Sequence, residues 1–312
     1  MIRRFRFLIF FIIIIFLVLI VFRQEIYSGF IVKNKNIFPE FITKLIDQRI
    51  NRKSVVHLVY KPEETIKILE GWTTSGINQY FKELGKWPNE ELFNIIGLPQ
   101  TDYRKEKNLV PPKDFSDQFS FLSDKPSYYG LEGYLFPDTY RVYTDATLED
   151  VVIKMLENFD KKLTPQMRAA IRKQGKTIYE IITMASIIEK EAPIIYQINN
   201  INNDAKIISG IFWGRLKIGQ ALQSDATLSY IFNDNKPGHS GEELENNSLY
   251  NTYKFRGLPP GPICNPGILA IEAAIYPIET EYNYFLTPPN SKDVIYSATY
   301  QEHLANKYKY LK

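Results

Sequence analysis

The chain has 312 residues, with 38 lysines and arginines against 35 aspartates and glutamates and a formal net charge of +3. That balance lacks the concentrated positive field of a polyanion binder and argues against nucleic acid as a partner. Cys264 is the only cysteine, and the histidines His57, His239 and His303 are widely separated. No disulfide, metal-ligand or cofactor motif is expected. The 21 tyrosines and 20 phenylalanines supply a core and, where exposed, rings suited to sugars.

Arg3, Arg4 and Arg6 precede an uninterrupted apolar run from Phe7 to Phe22, closed by Arg23. At ~1.5 Å per residue the run spans about 24 Å as a helix, slightly short of the hydrocarbon thickness, with flanking arginines able to snorkel. No small-residue cleavage site follows, so residues 1–23 read as an uncleaved signal anchor. The positive-inside rule then predicts a single-pass, membrane-inserted protein with a cytoplasmic N-terminus and its working part outside the inner (plasma) membrane.

Residues 24–53 read as a membrane-proximal stalk and 54–312 as a mixed α+β domain, divided into a smaller part (54–130) and a larger core (131–312). Ser54–Tyr60 alternates as a strand, with Glu64–Leu69 as its expected partner. Helices are predicted at Thr74–Leu84 and Asn89–Ile96, then a long surface loop at Thr101–Ser127, rich in Pro, Asp, Ser and Lys. Leu148–Leu163, capped by Thr147, and Pro165–Gln174 are amphipathic helices. Thr177 with Glu180 forms a capping-box pattern at the head of the next helix. Ala205–Leu216 and Ala226–Phe232 follow, with Asp225 the expected cap of the second. Asn233–Asn247 reads as exposed and Asn251–Gly267 as stiff and turn-rich. Gly267–Ala274 is helical, Tyr282–Leu286 and Asp293–Ser297 a strand pair, and Gln301–Leu311 a closing helix.

The helix that begins at Thr177 ends Ile187-Ile188-Glu189-Lys190-Glu191-Ala192-Pro193. The C-terminal end of a helix dipole is negative, so carboxylates there, beside apolar neighbours, hold their protons more tightly than a free Glu. A Glu that stays protonated near neutral pH is what a general acid needs. Glu189 and Glu191 lie about 160° apart around the helix, at ~100° per residue. Geometry alone leaves both as candidates.

Three further stretches are distinctive: Glu132-Gly133-Tyr134-Leu135-Phe136-Pro137-Asp138, Leu222-Gln223-Ser224-Asp225-Ala226-Thr227, and Tyr250-Asn251-Thr252-Tyr253 before Gly257-Leu258-Pro259-Pro260-Gly261-Pro262. Their order and spacing around Glu189-Lys190-Glu191, with Tyr282-Asn283-Tyr284-Phe285 and the late His303, resemble the MltG (YceG-like) family of endolytic murein transglycosylases. The resemblance covers about Ile66 to Lys312 together with the N-terminal anchor. It implies a YceG-like catalytic domain that cuts the β-1,4 bond between N-acetylmuramic acid and N-acetylglucosamine in nascent peptidoglycan strands. The products would carry 1,6-anhydro ends. It implies Glu191 as the single acid–base residue, with Glu132, Glu189, Gln223, Ser224, Asp225, Tyr250, Asn251 and Tyr253 as substrate-binding residues. Peptidoglycan synthases are the implied protein partners, and no metal or cofactor is implied. Only about 30 residues stand where the family usually has a LysM-like module, Ala226 replaces a common proline, and Gly214 replaces a usual Asn. A hydrolase with a second essential carboxylate, Glu132 or Glu189, and a non-catalytic cell-wall scaffold are the rival readings.

Overall fold

Threonine side chains set half of the helix starts among the described residues. Thr73, Thr147, Thr164, Thr177 and Thr299 each accept a backbone N–H from the first turn of the helix that follows. At Thr147, Thr177 and Thr299 an acid at the third helical position returns the bond to the cap's own N–H. Each cap contributes about 1 kcal/mol by satisfying donors that the helix cannot.

The structure is a computed structural model that describes residues 61–87, 89–192, 203–234, 236, 238–289, 291 and 293–311. The expected membrane span, the 24–53 stalk and the strand Ser54–Tyr60 lie outside these residues. Among the described residues no helix is long and apolar enough to cross a membrane.

Strand β1 (Glu63–Lys67) leads into α1 (Thr74–Glu83) and α2 (Asn89–Ile96). Strand β2 (Thr139–Tyr143) pairs antiparallel with β1, Glu63 opposite Tyr143 and Lys67 opposite Thr139. Helices α3 (Leu148–Lys162), α4 (Pro165–Lys173), α5 (Ile178–Glu191), α6 (Asn203–Lys217), α7 (Asp225–Phe232), the single turn α8 (Gly241–Leu244) and α9 (Ile268–Ile275) follow. A second antiparallel hairpin, β3 (Tyr284–Leu286) with β4 (Ile295–Ser297), precedes α10 (Tyr300–Tyr310). Residues 61–312 form one unit. The mixed α/β expectation holds.

Helix α5 lies at the centre. Every residue from Ile181 to Ile188 is buried, and α4, α6, α7 and α9 pack around it. A helix apolar on all sides must be enclosed in this way. Burial of each Ile or Met side chain there contributes roughly 1.5–3 kcal/mol.

Two local expectations differ from the structure. The Thr101–Ser127 stretch is not simply a surface loop: Phe115, Phe119, Phe121 and Leu122 are buried, and Ser120–Leu122 forms a 3₁₀ turn. Phe121 stacks on Phe159 of α3 at 4.7 Å. The polar residues mask aromatic anchors that have no helical or strand period. Asp225 is also not the cap of α7. It is the first helical residue, Ser224 occupies the cap position without a side-chain cap bond, and the Asp225 carboxylate accepts from Tyr253.

Gly133 shows how tightly the chain approaches α5. Its φ is +89°, and an added Cβ would stand 2.5 Å from Pro262 Cβ and 3.0 Å from Ile182 Cγ2. Gly175 has a similar φ of +66° but open space around it. Gly175→Ala is expected to cost about 1 kcal/mol from backbone conformation alone, and Gly133→Ala clearly more. Urea midpoints of the two variants measure the difference; equal losses would count against this packing.

Candidate active site

The two glutamates at the end of α5 face different partners. One side of the helix carries the proline-stiffened segment. Tyr179 OH donates to Pro260 O at 2.5 Å, Ser186 Oγ accepts from Ile263 N at 2.9 Å, and Glu189 Oε2 accepts from Gly267 N at 2.9 Å. Positions 179, 186 and 189 repeat at i, i+7 and i+10, which returns to one face of a helix. Gly267 caps α9, so Glu189 sits at that helix's N-terminus, where a carboxylate is favoured.

Glu191 turns the other way, toward the start of α7. Its Oε1 accepts from Ser224 Oγ at 2.5 Å and from Ala226 N at 3.4 Å. Both bonds fall on Oε1, and among the described residues Oε2 has no donor. The side chain is partly exposed. Among the described residues, one carboxyl oxygen is thus fixed by two donors and the other receives none.

The loop that presents Ser224 is held rigidly. Gln223 adopts a left-handed φ of +52° and donates its N–H to Thr252 O at 3.1 Å, while Ser224 N donates to Thr252 Oγ1 at 3.1 Å. Arg215 of α6, a buried guanidinium, donates to Leu222 O and to Asn283 O. Tyr253 OH donates to Asp225 Oδ1 at 2.6 Å.

Burial is the main cause that raises the Glu191 pKa from its ordinary value, and the Asp225 charge adds to it. Ser224, Ala226 N–H and Arg215 pull the other way. Burial pushes Glu189 up to about 7, assisted by Glu70 and opposed by the Gly267 N–H. The predicted raised proton affinity at this helix end is present, with burial as its first cause.

The expected binding residues separate into two groups. Gln223, Ser224, Asp225 and Tyr253 gather around Glu191, with Gln223 exposed and Asp225 and Tyr253 partly exposed. Glu132, Tyr250 and Asn251 are buried. Glu132 accepts from Thr74 N at 3.0 Å, Thr74 Oγ1 at 2.8 Å, Asn265 Nδ2 at 3.3 Å and Tyr230 OH at 3.3 Å. Burial nonetheless lifts its pKa to about 7. Asn251 spends its amide on Leu244 O, Asn246 O and the N–H groups of Tyr253 and Lys254. It shapes the loop from inside.

Sequence reasoning missed Arg215 and Thr252. Arg215 follows Ile208, Ile211 and Phe212 on the buried stripe of α6, and a charge at an apolar position of that spacing was the available signal. Thr252 lies inside the distinctive Tyr250–Tyr253 stretch, which was its signal. Among the described residues Asp234, His239 and Glu243 are spaced so that they can hold a metal, but the Lys236 ammonium already bridges Asp234 and Glu243.

Glu132 and Glu189 bind protons more tightly in the folded chain, at about 7, than at their ordinary value of 4.5. Their stabilising contribution is complete below about pH 4.5 and is lost as pH rises through about 7. Urea midpoints for wild type should fall between about pH 5 and about pH 7.5, and fall less for Glu132→Gln. An unchanged slope in that variant would show that Glu132 does not titrate there.

Comparison with known proteins places this geometry. The YceG-like family model matches residues 30–309. The endolytic murein transglycosylase of Bacillus subtilis is 36% identical over 252 residues, covering 76% of this chain and 68% of its own. That of Streptococcus pneumoniae strain D39 is 33% identical over 192 residues, which cover 59% of this chain and only 33% of the pneumococcal protein. The crystal structure of a YceG-like protein from Listeria monocytogenes superposes with a TM-score of 0.64 at 30% identity, covering 84% of this chain and 80% of that one. With the match spanning nearly the whole chain, and the Glu189-Lys190-Glu191 helix end at its centre, this protein belongs to the YceG-like family.

Proposed function

We propose that this chain is an endolytic murein transglycosylase with Glu191 as its acid and base. The observation that carries the reading is the setting of the Glu191 carboxyl: Ser224 and Ala226 hold its Oε1 next to the exposed or partly exposed Gln223, Asp225 and Tyr253, and burial raises the group's proton affinity. The named activity of the Bacillus and Streptococcus relatives supports the substrate class.

In the proposed reaction the Glu191 proton passes to the glycosidic oxygen as the β-1,4 bond between N-acetylmuramic acid and N-acetylglucosamine breaks. The resulting carboxylate takes the proton of the muramoyl O6 hydroxyl as O6 bonds to C1. The ring closes as 1,6-anhydro sugar, the proton returns to Glu191, and no water is consumed. Gln223, Asp225 and Tyr253 border the acid and are the proposed sugar contacts. Glu189, Glu132, Tyr250 and Asn251 act by holding the surrounding segments in place. Glycan strands are the substrate, cleavage would end strand growth, and peptidoglycan synthases are the proposed neighbours. The apolar run Phe7–Phe22 supports an anchor in the plasma membrane with the catalytic domain outside.

Glu191→Gln should lower turnover of uncrosslinked glycan by roughly 10²–10⁴-fold, the usual contribution of a positioned acid. Mass spectrometry of wild-type products should show 1,6-anhydro ends. Reducing ends instead would favour the rival hydrolase, which needs a second essential carboxylate, Glu132 or Glu189. No turnover at all would favour a scaffold.

The reaction needs Glu191 protonated at the start, so activity should fall as pH rises through its pKa. Ser224 lowers that pKa, and Ser224→Ala should therefore move the alkaline limb of the kcat profile to higher pH. A limb that stays in place would argue that another group sets it.

A further inference from the structure

The β3–β4 hairpin and helix α10 take no part in the acid–base scheme, and the core reaches the hairpin but does not explain α10. Helix α10 has no buried residue. Rings and polar contacts attach it to the hairpin. Tyr284 lies 5.2 Å from His303 with the rings 22° apart, and 5.8 Å from Tyr300. Asn306 donates to Ser297 Oγ, and Ser297 is the cross-strand partner of Tyr284. The neighbouring pair, Phe285 and Tyr296, points to the opposite face of the hairpin. There Phe285 packs on Phe212 and Tyr296 OH bonds Asp204, both residues of α6. The Tyr284 face gathers a second aromatic cluster, and its Tyr300 ring is 54% exposed.

Arg215 links this cluster to the surroundings of the acid. The Arg215 guanidinium lies 5.6 Å from the Tyr284 ring centre, and its charge acts on both Glu191 and His303. Arg215 also bonds Asn283 O, and Asn283 Nδ2 bonds Gln220 Oε1, which ties the root of the hairpin to the loop that presents Ser224. His303 Nδ1 is buried and, among the described residues, has no hydrogen-bond partner. A buried polar atom in that state is costly unless a ligand supplies the missing bond. Burial, Lys307 and Arg215 all lower the His303 pKa, which favours a neutral ring with one nitrogen able to accept.

We propose that Tyr284, Tyr300 and His303 form a sugar subsite beside Glu191. The tyrosine rings stack on the apolar face of a pyranose next to the one that is cut, and His303 Nδ1 accepts from its hydroxyl or acetamido N–H. The inference rests on the glycan reading above. An enzyme that cuts inside a strand meets sugars on both sides of the scissile bond, and this wall holds one of them.

The test compares wild type, Tyr300→Ala, Tyr300→Trp and His303→Ala on uncrosslinked glycan strands. Loss of one stacking ring should raise KM about five- to tenfold with kcat little changed, and Tyr300→Trp should restore it. His303→Ala should raise KM in the same way. Unchanged KM in both alanine variants would overturn the subsite. So would a joint fall of kcat and thermal stability that Trp fails to rescue, because that marks a structural role. Titration of the same strands into Glu191→Gln and Glu191→Gln/Tyr300→Ala separates this inference from the reading beneath it. If wild type releases no 1,6-anhydro product, the proposed function fails, while weaker binding by the double variant still supports the subsite and equal binding removes it.

Discussion

The structure depends on the enclosure of helix α5. Eight consecutive residues, Ile181–Ile188, are buried on every side, so the helix cannot rotate or shift without exposing apolar surface at about 25 cal/mol per Å². That fixes the azimuth of the residues beyond the buried segment. Glu189 is directed to the Gly267 N–H and Glu191 to Ser224 and Ala226. Two glutamates separated by a single lysine thus become different chemical objects.

Three glutamates share a raised proton affinity with burial as the first cause, and their partners separate their roles. Glu132 receives donors from α1, α7 and the proline-rich segment, and joins these parts of the chain. Asn265 extends the same junction through Leu135 N and Trp72 O. Glu189 anchors the first backbone N–H of α9 beside Glu70. Glu191 is the one of the three that meets Ser224 and Ala226 at the start of α7, where Gln223, Asp225 and Tyr253 are exposed or partly exposed. Burial raises the pKa, and the hydrogen bonds from Ser224 and Ala226 oppose that rise.

Much of this was legible in the sequence. The Thr177–Glu180 capping box, the apolar run behind the two glutamates and the helix end near Pro193 are local patterns, and the structure reproduces them. The β3–β4 hairpin and the helices from α3 to α5 followed from period and punctuation. Less accessible were features set by contacts distant in sequence. Phe115, Phe119 and Phe121 lie in a stretch whose composition reads as a loop, because burial there comes from stacking on α3 and not from a repeat. Asp225 had the composition of a cap, but Tyr253, 28 residues away, claims its carboxylate. Asn251 and Tyr250 lie in a distinctive motif, yet their side chains face inward.

The sequence by itself determined the family, the helix proposed to carry the chemistry and the pair of carboxylates at its end, because capping, apolar period and motif order are encoded over short spans. The tertiary structure decided which neighbours those carboxylates meet. Ser224, Arg215, Gly267 and Glu70 come from separate elements. A carboxyl group's proton affinity depends on the burial, charges and donors within a few ångströms of it, and only the packed chain brings these together.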